Sequence, residues 1–364
     1  MKKICFIDQI GSHYREPIYS LLAQDLKCDF FFGDYKSSVK SIDNSKFAGF
    51  KKSLRRTQIG PLYSLKDAWK SVREYDTIIT SGDLHALYVW KILIMGFFCR
   101  KEVCLWTHGW YGKETFFRRI LKRVMFSFAR KIFLYGNHAR NLMIKEGFPP
   151  EKLVVVSNSL NYDAQTALRK TLKKDGMFKA RFGNDNPVLL YIGRIQKIKK
   201  LDMLLELVLR LKNSGNPANL VIVGDDAENV NLPKLAEDMG ISQSIWFYGS
   251  CYDERKNAEI VFNADLGISP GNVGLMAIHC LTFGCPVITH DNFALQMPEF
   301  EAIEEGKTGA FFKKGDIDSL FEKTLFMLEK IKKNRDEIKS ACFLEIDKRW
   351  NPHSQIKIFS EHLK

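Results

Sequence analysis

The amino-acid sequence predicts an α/β protein built from two doubly wound parallel sheets. Two observations support this prediction. Short apolar runs alternate with amphipathic helical patterns along most of the chain, which is typical of parallel sheets covered by helices on both faces. The length of 364 residues also favours two domains over a single core.

The strand candidates form two series of six, which we take in chain order. The first series comprises Ile4 to Ile7, Cys28 to Phe32, Thr77 to Thr80, Val103 to Trp106, Lys131 to Tyr135 and Leu153 to Val156. The second comprises Val188 to Ile192, Leu220 to Val223, Ile245 to Tyr248, Leu266 to Ile268, Pro286 to Thr289 and Gly309 to Phe312.

A polar, lysine-rich stretch between Leu160 and Asn186 separates the two series. We therefore expect an N-terminal domain over residues 1–165 and a C-terminal domain over residues 180–349. The last segment, residues 350–364, has a helical pattern that could return to the first domain. Ligands of open parallel sheets bind beyond the carboxyl ends of the strands, and a cleft between two such sheets is the natural active site.

The positive charge of the chain belongs to its first half. Residues 1–180 carry a net charge of +16 and residues 181–364 one of −3, which indicates an anionic partner, either a membrane or a nucleic acid. No pattern of aromatic and basic residues for nucleic-acid stacking is present, so no nucleic acid is expected. The apolar run Ala86 to Cys99 is too short to span a bilayer.

The eight cysteines show no spacing typical of zinc sites. Cys5, Cys104, Cys280 and Cys285 lie within apolar patterns, which indicates buried free thiols and a reducing cytoplasm.

Residues Phe116 to Phe128 form a strongly two-sided helical pattern. One face carries Phe116, Phe117, Ile120, Leu121, Val124, Met125 and Phe128, and the other carries Arg118, Arg119, Lys122 and Arg123. The usual explanation is a helix whose apolar face meets the core and whose charged face is solvated. The alternative is that residues 113–131 bind an anionic membrane surface.

The sequence VLLYIGRIQKIKKLD, residues 188–202, combines a strand, a glycine turn, two cations and a helix start. Arg194 and Lys199 follow Gly193, and a helix N-terminus together with side-chain cations favours an anion such as a phosphate. The alternative is a solvated lysine-rich turn. A second glycine-rich loop begins at Gly271, and Gly274 can open a helix that carries His279. His279 is either a core histidine or a ligand contact.

Polar residues also follow the strands of the first half. Gly11 comes after the first strand and would allow close backbone approach to a ligand. His13, Tyr14 and Arg15 make a polar start to the next helix, for which the alternative is a capped, solvated turn. His85 and His108 follow the third and fourth strands.

These elements together resemble glycosyltransferase family 4, whose fold, GT-B, consists of two facing Rossmann-like domains. Gly193-Arg194 followed by Lys199 is similar to the family's donor-phosphate element. Phe247-Tyr248-Gly249 resembles its turn beside the nucleotide base, and Gly284-Cys285-Pro286 resembles the exit from its signature loop. The resemblance covers most of the chain and is strongest over about residues 186–320.

The resemblance implies a nucleotide-sugar donor site in the second domain and an acceptor site in the first. Its implied donor-binding residues are Gly11, Gly193, Arg194, Lys199, Tyr248, Gly249, Gly271, Asn272, Val273, Gly274, Leu275 and His279. His108 would face the donor sugar and act in catalysis with Arg194 and Lys199, which would neutralise the leaving diphosphate. His13, Tyr14, Arg15 and His85 are the acceptor-side candidates, and no metal or other cofactor is expected.

The chain departs from the family pattern at three positions. The family has two glutamates eight residues apart, and alignment by Gly274 places Gly271 and His279 there. Lys200 stands where the family tends to have glycine. His279 could still hydrogen-bond ribose hydroxyls, because imidazole offers a donor and an acceptor.

The predicted function is a retaining transfer of a sugar from a nucleotide-sugar to a glycan or lipid-linked acceptor, in bacterial surface polysaccharide synthesis. The protein would be cytoplasmic, or peripheral on the inner face of the cytoplasmic membrane. One alternative is a nucleotide-sugar epimerase or hydrolase of the same fold. The other is a membrane- or glycan-binding pseudoenzyme that lost both acidic positions.

Overall fold

The computed structural model describes residues 2–35 and 40–364, which form two compact units. The first unit contains the chain up to Asn161 together with Asn351–Lys364, and the second is Tyr162–Trp350. Within the described residues, no helix has the length and apolar character needed to cross a membrane.

A seven-stranded parallel sheet forms the centre of the first unit. The strands of this unit are β1 (Ile4–Asp8), β2 (Asp29–Gly33), β3 (Phe50–Leu54), β4 (Arg56–Ile59), β5 (Leu62–Leu65), β6 (Thr77–Ser81), β7 (Glu102–Thr107), β8 (Lys131–Leu134) and β9 (Leu153–Val155). The sheet order is β3-β2-β1-β6-β7-β8-β9, and β4 and β5 make a separate antiparallel hairpin. The helices are α1 (Glu16–Leu26), α2 (Ala68–Val72), α3 (Leu87–Phe98), α4 (Phe116–Ser127) and α5 (Asn137–Lys145).

The second unit contains a six-stranded parallel sheet. Its helices are α6 (Tyr162–Thr171), α7 (Met177–Phe182), α8 (Asp202–Asn213), α9 (Leu232–Asp238), α10 (Glu254–Asn263), α11 (Leu275–Thr282) and α12 (Ile317–Arg349). Its strands are β10 (Val188–Ile192), β11 (Asn219–Val223), β12 (Ile245–Gly249), β13 (Leu266–Ser269), β14 (Val287–His290) and β15 (Gly309–Phe312). The sheet order is β12-β11-β10-β13-β14-β15.

The last helix, α13 (Pro352–Leu363), belongs to the core of the first unit. The ring of Phe359 lies 5.0 Å from that of Trp106 and 4.6 Å from that of Phe133. The Asn351 side chain caps the helix by accepting from Ser354 N at 2.8 Å. The predicted return of the C-terminal helix is therefore confirmed.

All twelve predicted strands are present, and the four cysteines named above are buried. The strands β3, β4 and β5 were not predicted. Their sequences are rich in lysine, arginine and polar residues, and β3 lies at the sheet edge with Lys51, Lys52 and Ser53 exposed. Backbone pairing with β2, rather than an apolar pattern, defines β3.

Each sheet contains one point where its strand order reverses. In the first unit the reversal lies between β1 and β6, and in the second between β10 and β13. The loops after these strand pairs diverge toward opposite faces of the sheet, which leaves a crevice at the carboxyl ends. Both positions coincide with loops that carry predicted site residues.

The explanation of α4 as a helix with a core-facing apolar side is wrong for most of its length. Phe116 and Phe117 are 71% and 76% exposed, and Ile120, Leu121 and Val124 are also exposed. The charged side instead makes protein contacts. Lys122 Nζ donates to Gly109 O at 2.7 Å and Glu114 Oε1 at 2.8 Å, and Arg119 forms a bidentate pair with Glu146. Only Met125 and Phe126, near the end of α4, are buried.

Candidate active site

The loop after β10 is fixed by backbone contacts to the loop after β11. Gly193 N donates to Val223 O at 2.9 Å, and Ile195 N donates to Asp225 O at 2.9 Å. A Cβ on Gly224 would lie 1.9 Å from Gly193 O, so only glycine permits this approach. These contacts hold Arg194 at the carboxyl end of β10.

Lys199 joins the two loops at the reversal point of the second sheet. Its Nζ donates to Asn272 O at 2.7 Å and to Asn272 Oδ1 at 2.9 Å. In return, Gly271 N donates to the backbone oxygen of Lys199 at 2.9 Å. The loop after β10 and the loop after β13 are therefore one hydrogen-bonded structure.

The ammonium group of Lys199 lies in an unfavourable environment for a positive charge. Burial and, to a smaller extent, the charge of Arg194 lower the pKa of Lys199 to about 8, and the charge of Glu299 opposes this shift. Glu299 is itself buried. A second cation close to a partly buried lysine is the arrangement expected where an anion binds.

Lys200 occupies a left-handed backbone conformation, with a φ of +53°. It ends the short 3-10 turn Lys197–Lys199 that precedes α8. The family's preference for glycine at this position therefore has a conformational reason, since glycine adopts positive φ without the steric cost of a Cβ.

We expect the Lys200→Gly variant to be more stable than the wild type by about 1 kcal/mol, because it relieves this strain. Urea unfolding at neutral pH would measure the difference. Lys197→Gly is the matched control, since Lys197 lies on the same turn but does not have a positive φ. Equal or lower stability of Lys200→Gly would contradict the prediction.

The backbone of Gly271 is packed against the turn that carries Lys199. A Cβ on Gly271 would lie 2.2 Å from Ile198 O and 2.6 Å from Lys199 Cα. Both contacts are with backbone, which cannot move without displacing the turn. A side chain of any kind, including the glutamate of the family pattern, is excluded here in this conformation.

Buried polar side chains that the sequence did not single out support the loop after β13. Gln296 Oε1 accepts from Val273 N at 2.7 Å, and Gln296 Nε2 donates to Thr289 Oγ1 at 2.8 Å. Thr289 Oγ1 in turn donates to Ser269 O at 2.9 Å and Gly271 O at 3.2 Å. The loop that holds Asn272 is thus rigidly positioned.

The helix α11 begins directly after this loop, with Gly274 as its first flanking residue. A Cβ on Gly274 would meet only Met297 Cγ, at 3.9 Å, so the space beside Gly274 in this direction is open. The backbone N–H groups of Leu275 and Met276 belong to the first turn of α11, where such groups and the helix dipole favour an anion.

His279 lies on α11 with its side chain 13% exposed. Its Nε2 is 3.9 Å from Glu254 Oε1 and has no hydrogen-bond partner among the described residues. Burial lowers the pKa of His279, and the charge of Glu254 opposes this effect. His279 occupies the position of the second family glutamate, and the carboxylate of Glu254 lies next to it.

Tyr248 and Gly249 end β12, on the same edge of the sheet. Gly249 has a φ of +83°, and its carbonyl accepts from Gly224 N at 2.9 Å. The predicted donor residues of the second unit therefore follow β10, β12 and β13 at one edge of one sheet.

A partly buried polar cluster lies at the carboxyl ends of β1, β7 and β8 in the first unit. The guanidinium of Arg15 lies 4.9 Å from the ring of Trp106 and 5.2 Å from that of Tyr135, and it donates to the Tyr135 hydroxyl. Burial raises the pKa of Asp8, and the charge of Arg15 opposes this shift. The His108 ring is 4.7 Å from that of Tyr135.

His108 is neutral at physiological pH. Burial and, to a smaller extent, the charges of Arg15 and Lys122 lower the pKa of His108 to about 4. Its Nδ1 is buried without a hydrogen-bond partner in the described part of the chain. A neutral imidazole can hydrogen-bond a sugar hydroxyl as donor or acceptor.

His85 belongs to a second polar group in this unit. Its Nδ1 lies 3.2 Å from Asp83 Oδ1, and Tyr63 donates its hydroxyl to Asp83 Oδ2 at 2.8 Å. Tyr63 comes from the β4–β5 hairpin, which gave no signal in the sequence. Tyr88 Oη lies 3.5 Å from Asp8 Oδ1 and connects this group with the Arg15 cluster.

The remaining acceptor-side candidates are less enclosed. His13 is exposed, with its Nε2 4.0 Å from Glu16 Oε2, and Tyr14 lies beside Arg15. Gly11 is also tightly packed against the core. A Cβ there would lie 2.9 Å from Phe32 Cε2 and 3.0 Å from Ile42 Cδ1, so core packing is a further reason for glycine at this position.

The protein is an α/β protein with two doubly wound units. Each unit has polar residues at the point where its strand order reverses. The structure is similar over 99% of both chains to that of Anabaena Alr3699/HepE in complex with UDP, with a TM-score of 0.75 and 16% identity. It is also similar to the apo lipopolysaccharide outer core galactosyltransferase WaaB, with a TM-score of 0.73, 15% identity and 99% of both chains covered. The fold is GT-B.

Residues 173–341 match the family model described as glycosyl transferases group 1. Alpha-D-kanosaminyltransferase from Streptomyces kanamyceticus is 25% identical over 189 residues, which cover 50% of this chain and 46% of the relative. The match to the family model lies within the second unit and agrees with the resemblance to family 4. The chain spans less than half the length of the curated relatives it matches.

Proposed function

We propose that the protein transfers a sugar from a nucleotide-sugar to an acceptor hydroxyl. The observation that carries this proposal is the contact of Lys199 with Asn272, which fixes one of two neighbouring cations at the reversal point of the second sheet. Arg194 can contact two phosphate oxygens, while Lys199 acts as a point charge. The N–H groups at the start of α11 would complete a site for the diphosphate.

In this proposal the phosphate site acts on the leaving group. Negative charge develops on the diphosphate as the bond to the sugar breaks, and preorganised cations and N–H groups stabilise it. With retained configuration, as in family 4, the departing phosphate itself accepts the proton of the acceptor hydroxyl on the same face. No divalent ion is needed, so turnover should persist in EDTA.

The choice of donor starts from the similar structure that contains UDP. Thermal shift with UDP, GDP, ADP and dTDP should show stabilisation by at least one of them. A ligand that binds the native state and not the unfolded state raises the midpoint of thermal unfolding. Nucleotide release from the corresponding donors would then be measured with and without acceptor. Stabilisation by none of the four would contradict the donor site. Isomerisation or hydrolysis of the donor without acceptor would favour an epimerase or hydrolase. Binding of a nucleotide without turnover of any donor would favour a pseudoenzyme.

We propose the polar cluster of the first unit as the acceptor-binding region, for a glycan or lipid-linked acceptor of bacterial surface polysaccharide synthesis. His85 and Asp83 offer hydrogen bonds to sugar hydroxyls, and Arg15 and Tyr14 offer a cation and an aromatic ring. The fold similarity to a lipopolysaccharide galactosyltransferase is compatible with such an acceptor. His108 would orient the donor sugar or the acceptor.

We also propose that the first unit binds the cytoplasmic face of an anionic membrane through residues 113–131. The exposed apolar residues of α4 are joined by exposed Phe97 and Phe98 of α3, and the Phe97 ring lies 5.7 Å from that of Phe128. We call Ile94, Phe97, Phe98, Phe116, Phe117, Ile120, Leu121 and Val124 the α3–α4 apolar surface.

Charge decides the occupant of this surface. Lys91, Arg100, Lys113 and Arg118 are exposed on the same two helices or next to them, and the first half of the chain carries the positive excess. Apolar side chains with surrounding cations fit an interface of acyl chains and anionic headgroups.

Replacing Phe116 and Phe117 together by serine should weaken binding to vesicles that contain anionic lipid by at least about tenfold, because two large apolar side chains no longer leave water. Co-sedimentation with phosphatidylglycerol/phosphatidylcholine vesicles would measure the effect. Leu344→Ser, at an exposed apolar residue of α12, is the control and should bind as the wild type does. Equal binding to neutral vesicles, or no effect of salt, would contradict the proposal.

A further inference from the structure

A cavity of about 390 Å³ opens at the edge of the second sheet opposite the candidate donor site. Ala264 and Asp265 precede β13, Pro286 precedes β14, and Lys174 lies in the segment between α6 and β10. The cavity is therefore at the amino ends of the strands, whereas Arg194 and Lys199 follow carboxyl ends. A five-residue strand separates the two edges by about 15 Å.

The polar lining of this cavity is predominantly cationic. Lys173, Lys174, Arg335 and Lys339 face two carboxylates, those of Asp265 and Asp336. Asp265 is already engaged: it accepts from Val188 N at 2.8 Å, pairs with Arg335, and lies 3.9 Å from Lys174 Nζ. The side chains around the cavity thus carry an excess of two positive charges.

The cations come from two parts of the chain, the segment after α6 and the helix α12, and lie close enough to repel one another. Burial lowers the pKa of Lys174, and the charge of Arg335 adds to this effect while Asp265 opposes it. Burial likewise lowers the pKa of Lys339, and the charges of Lys174 and Arg335 add to it while Asp336 opposes it. A bound anion would remove this repulsion.

The rest of the lining is apolar. Phe262, Phe283, Ile331 and Ile338 contribute to the cavity, and Lys339 Nζ lies 3.9 Å from the centroid of the Phe262 ring. The volume is in the range of small-molecule sites and exceeds what a phosphate group alone requires. The cavity therefore offers cations for an anionic group and apolar walls for a small organic body.

We propose that this cavity is a second anion site that binds a small phosphate ester, with Lys174, Arg335 and Lys339 contacting the phosphate group. The ester would connect the segment after α6 with α12. This assignment is independent of the proposed transferase activity, because no residue of the donor loops takes part in it.

Calorimetric titration with inorganic phosphate and with glucose 6-phosphate, at constant ionic strength, tests the proposal on the whole chain. Lys174→Met and Lys339→Met should each weaken affinity by at least about tenfold, since each removes one charge-assisted contact. Lys332→Met, at an exposed lysine of α12 outside the cavity, is the matched control and should bind within about twofold of the wild type. Glucose 6-phosphate should bind more tightly than phosphate.

Lys199→Met separates this cavity from the donor site, and it should leave the binding of glucose 6-phosphate unchanged. Loss of binding in Lys199→Met but not in the Lys174 and Lys339 variants would overturn the proposal, and so would unchanged affinity in both cavity variants. Lys339→Gln provides a second neutral variant should Lys339→Met fail to fold. Its affinity should be reduced to the same extent.

Discussion

Replacing Lys199 by methionine should lower turnover by about 100-fold, because removal of one preorganised group that stabilises developing charge has an effect of this order. Methionine keeps the unbranched shape of the side chain but cannot donate to Asn272. Release of the nucleotide from the donor found by thermal shift would measure turnover. Lys197→Met is the matched control, since Lys197 is an exposed lysine on the same 3-10 turn, and it should retain turnover within about twofold.

The pKa of Lys199 adds a second, independent readout. With a value of about 8 in the free protein, the protonated fraction falls as the pH rises through this value. Only the protonated form attracts the diphosphate, so affinity for the nucleoside diphosphate should fall between about pH 7.5 and about pH 9.5. Lys199→Met should show weak affinity without this pH dependence. A wild-type affinity that is constant over this interval would remove Lys199 from the phosphate site.

The strands and the phosphate loop were predictable because their signals are local. A buried parallel strand is a continuous apolar run, and a glycine that ends such a run marks the turn, as Gly193 does after β10. The positions of Arg194 and Lys199 then follow from the chain itself. The C-terminal helix was recognisable for the same reason.

The support of the site was not predictable, because it depends on residues that are distant in sequence. Gln296 reaches back to Val273, and Tyr63 reaches Asp83 from a hairpin whose polar sequence gave no strand signal. The orientation of α4 has a similar cause. The sequence of α4 defines an apolar face and a charged face. The charged face pairs with Glu114 and Glu146, which both lie outside the helix.

Gly271 shows how a departure from a family pattern acquires a physical explanation. From the sequence, glycine at the position of the first glutamate indicates only a lost carboxylate. In the structure, a Cβ at this position would lie 2.2 Å from Ile198 O. The glutamate is therefore absent because Gly271 packs closely against the turn that carries Lys199.

Restoring the family glutamate by Gly271→Glu should consequently impair the protein rather than improve it. The new side chain would displace the turn that carries Lys199, and overpacking of this kind costs about 1–3 kcal/mol. We expect lower stability in urea unfolding, together with a loss of turnover of about 100-fold from the displaced cation. Gly271→Ala should show the same destabilisation, because the clash arises at Cβ.

Gly274→Ala is the matched control for stability. Its Cβ would have Met297 Cγ at 3.9 Å as nearest neighbour, so alanine at this position causes no clash. Its φ of −128° and ψ of −138° lie outside the regions that alanine prefers and add backbone strain alone. Gly274→Ala should therefore lose less stability than Gly271→Ala, which has the clash with the Lys199 turn. A Gly271→Glu protein with wild-type stability and raised turnover would show that the loop accommodates the glutamate. In that case the glycine at position 271 would reflect only the loss of the family glutamate. The packing between Gly271 and Lys199 would not require it.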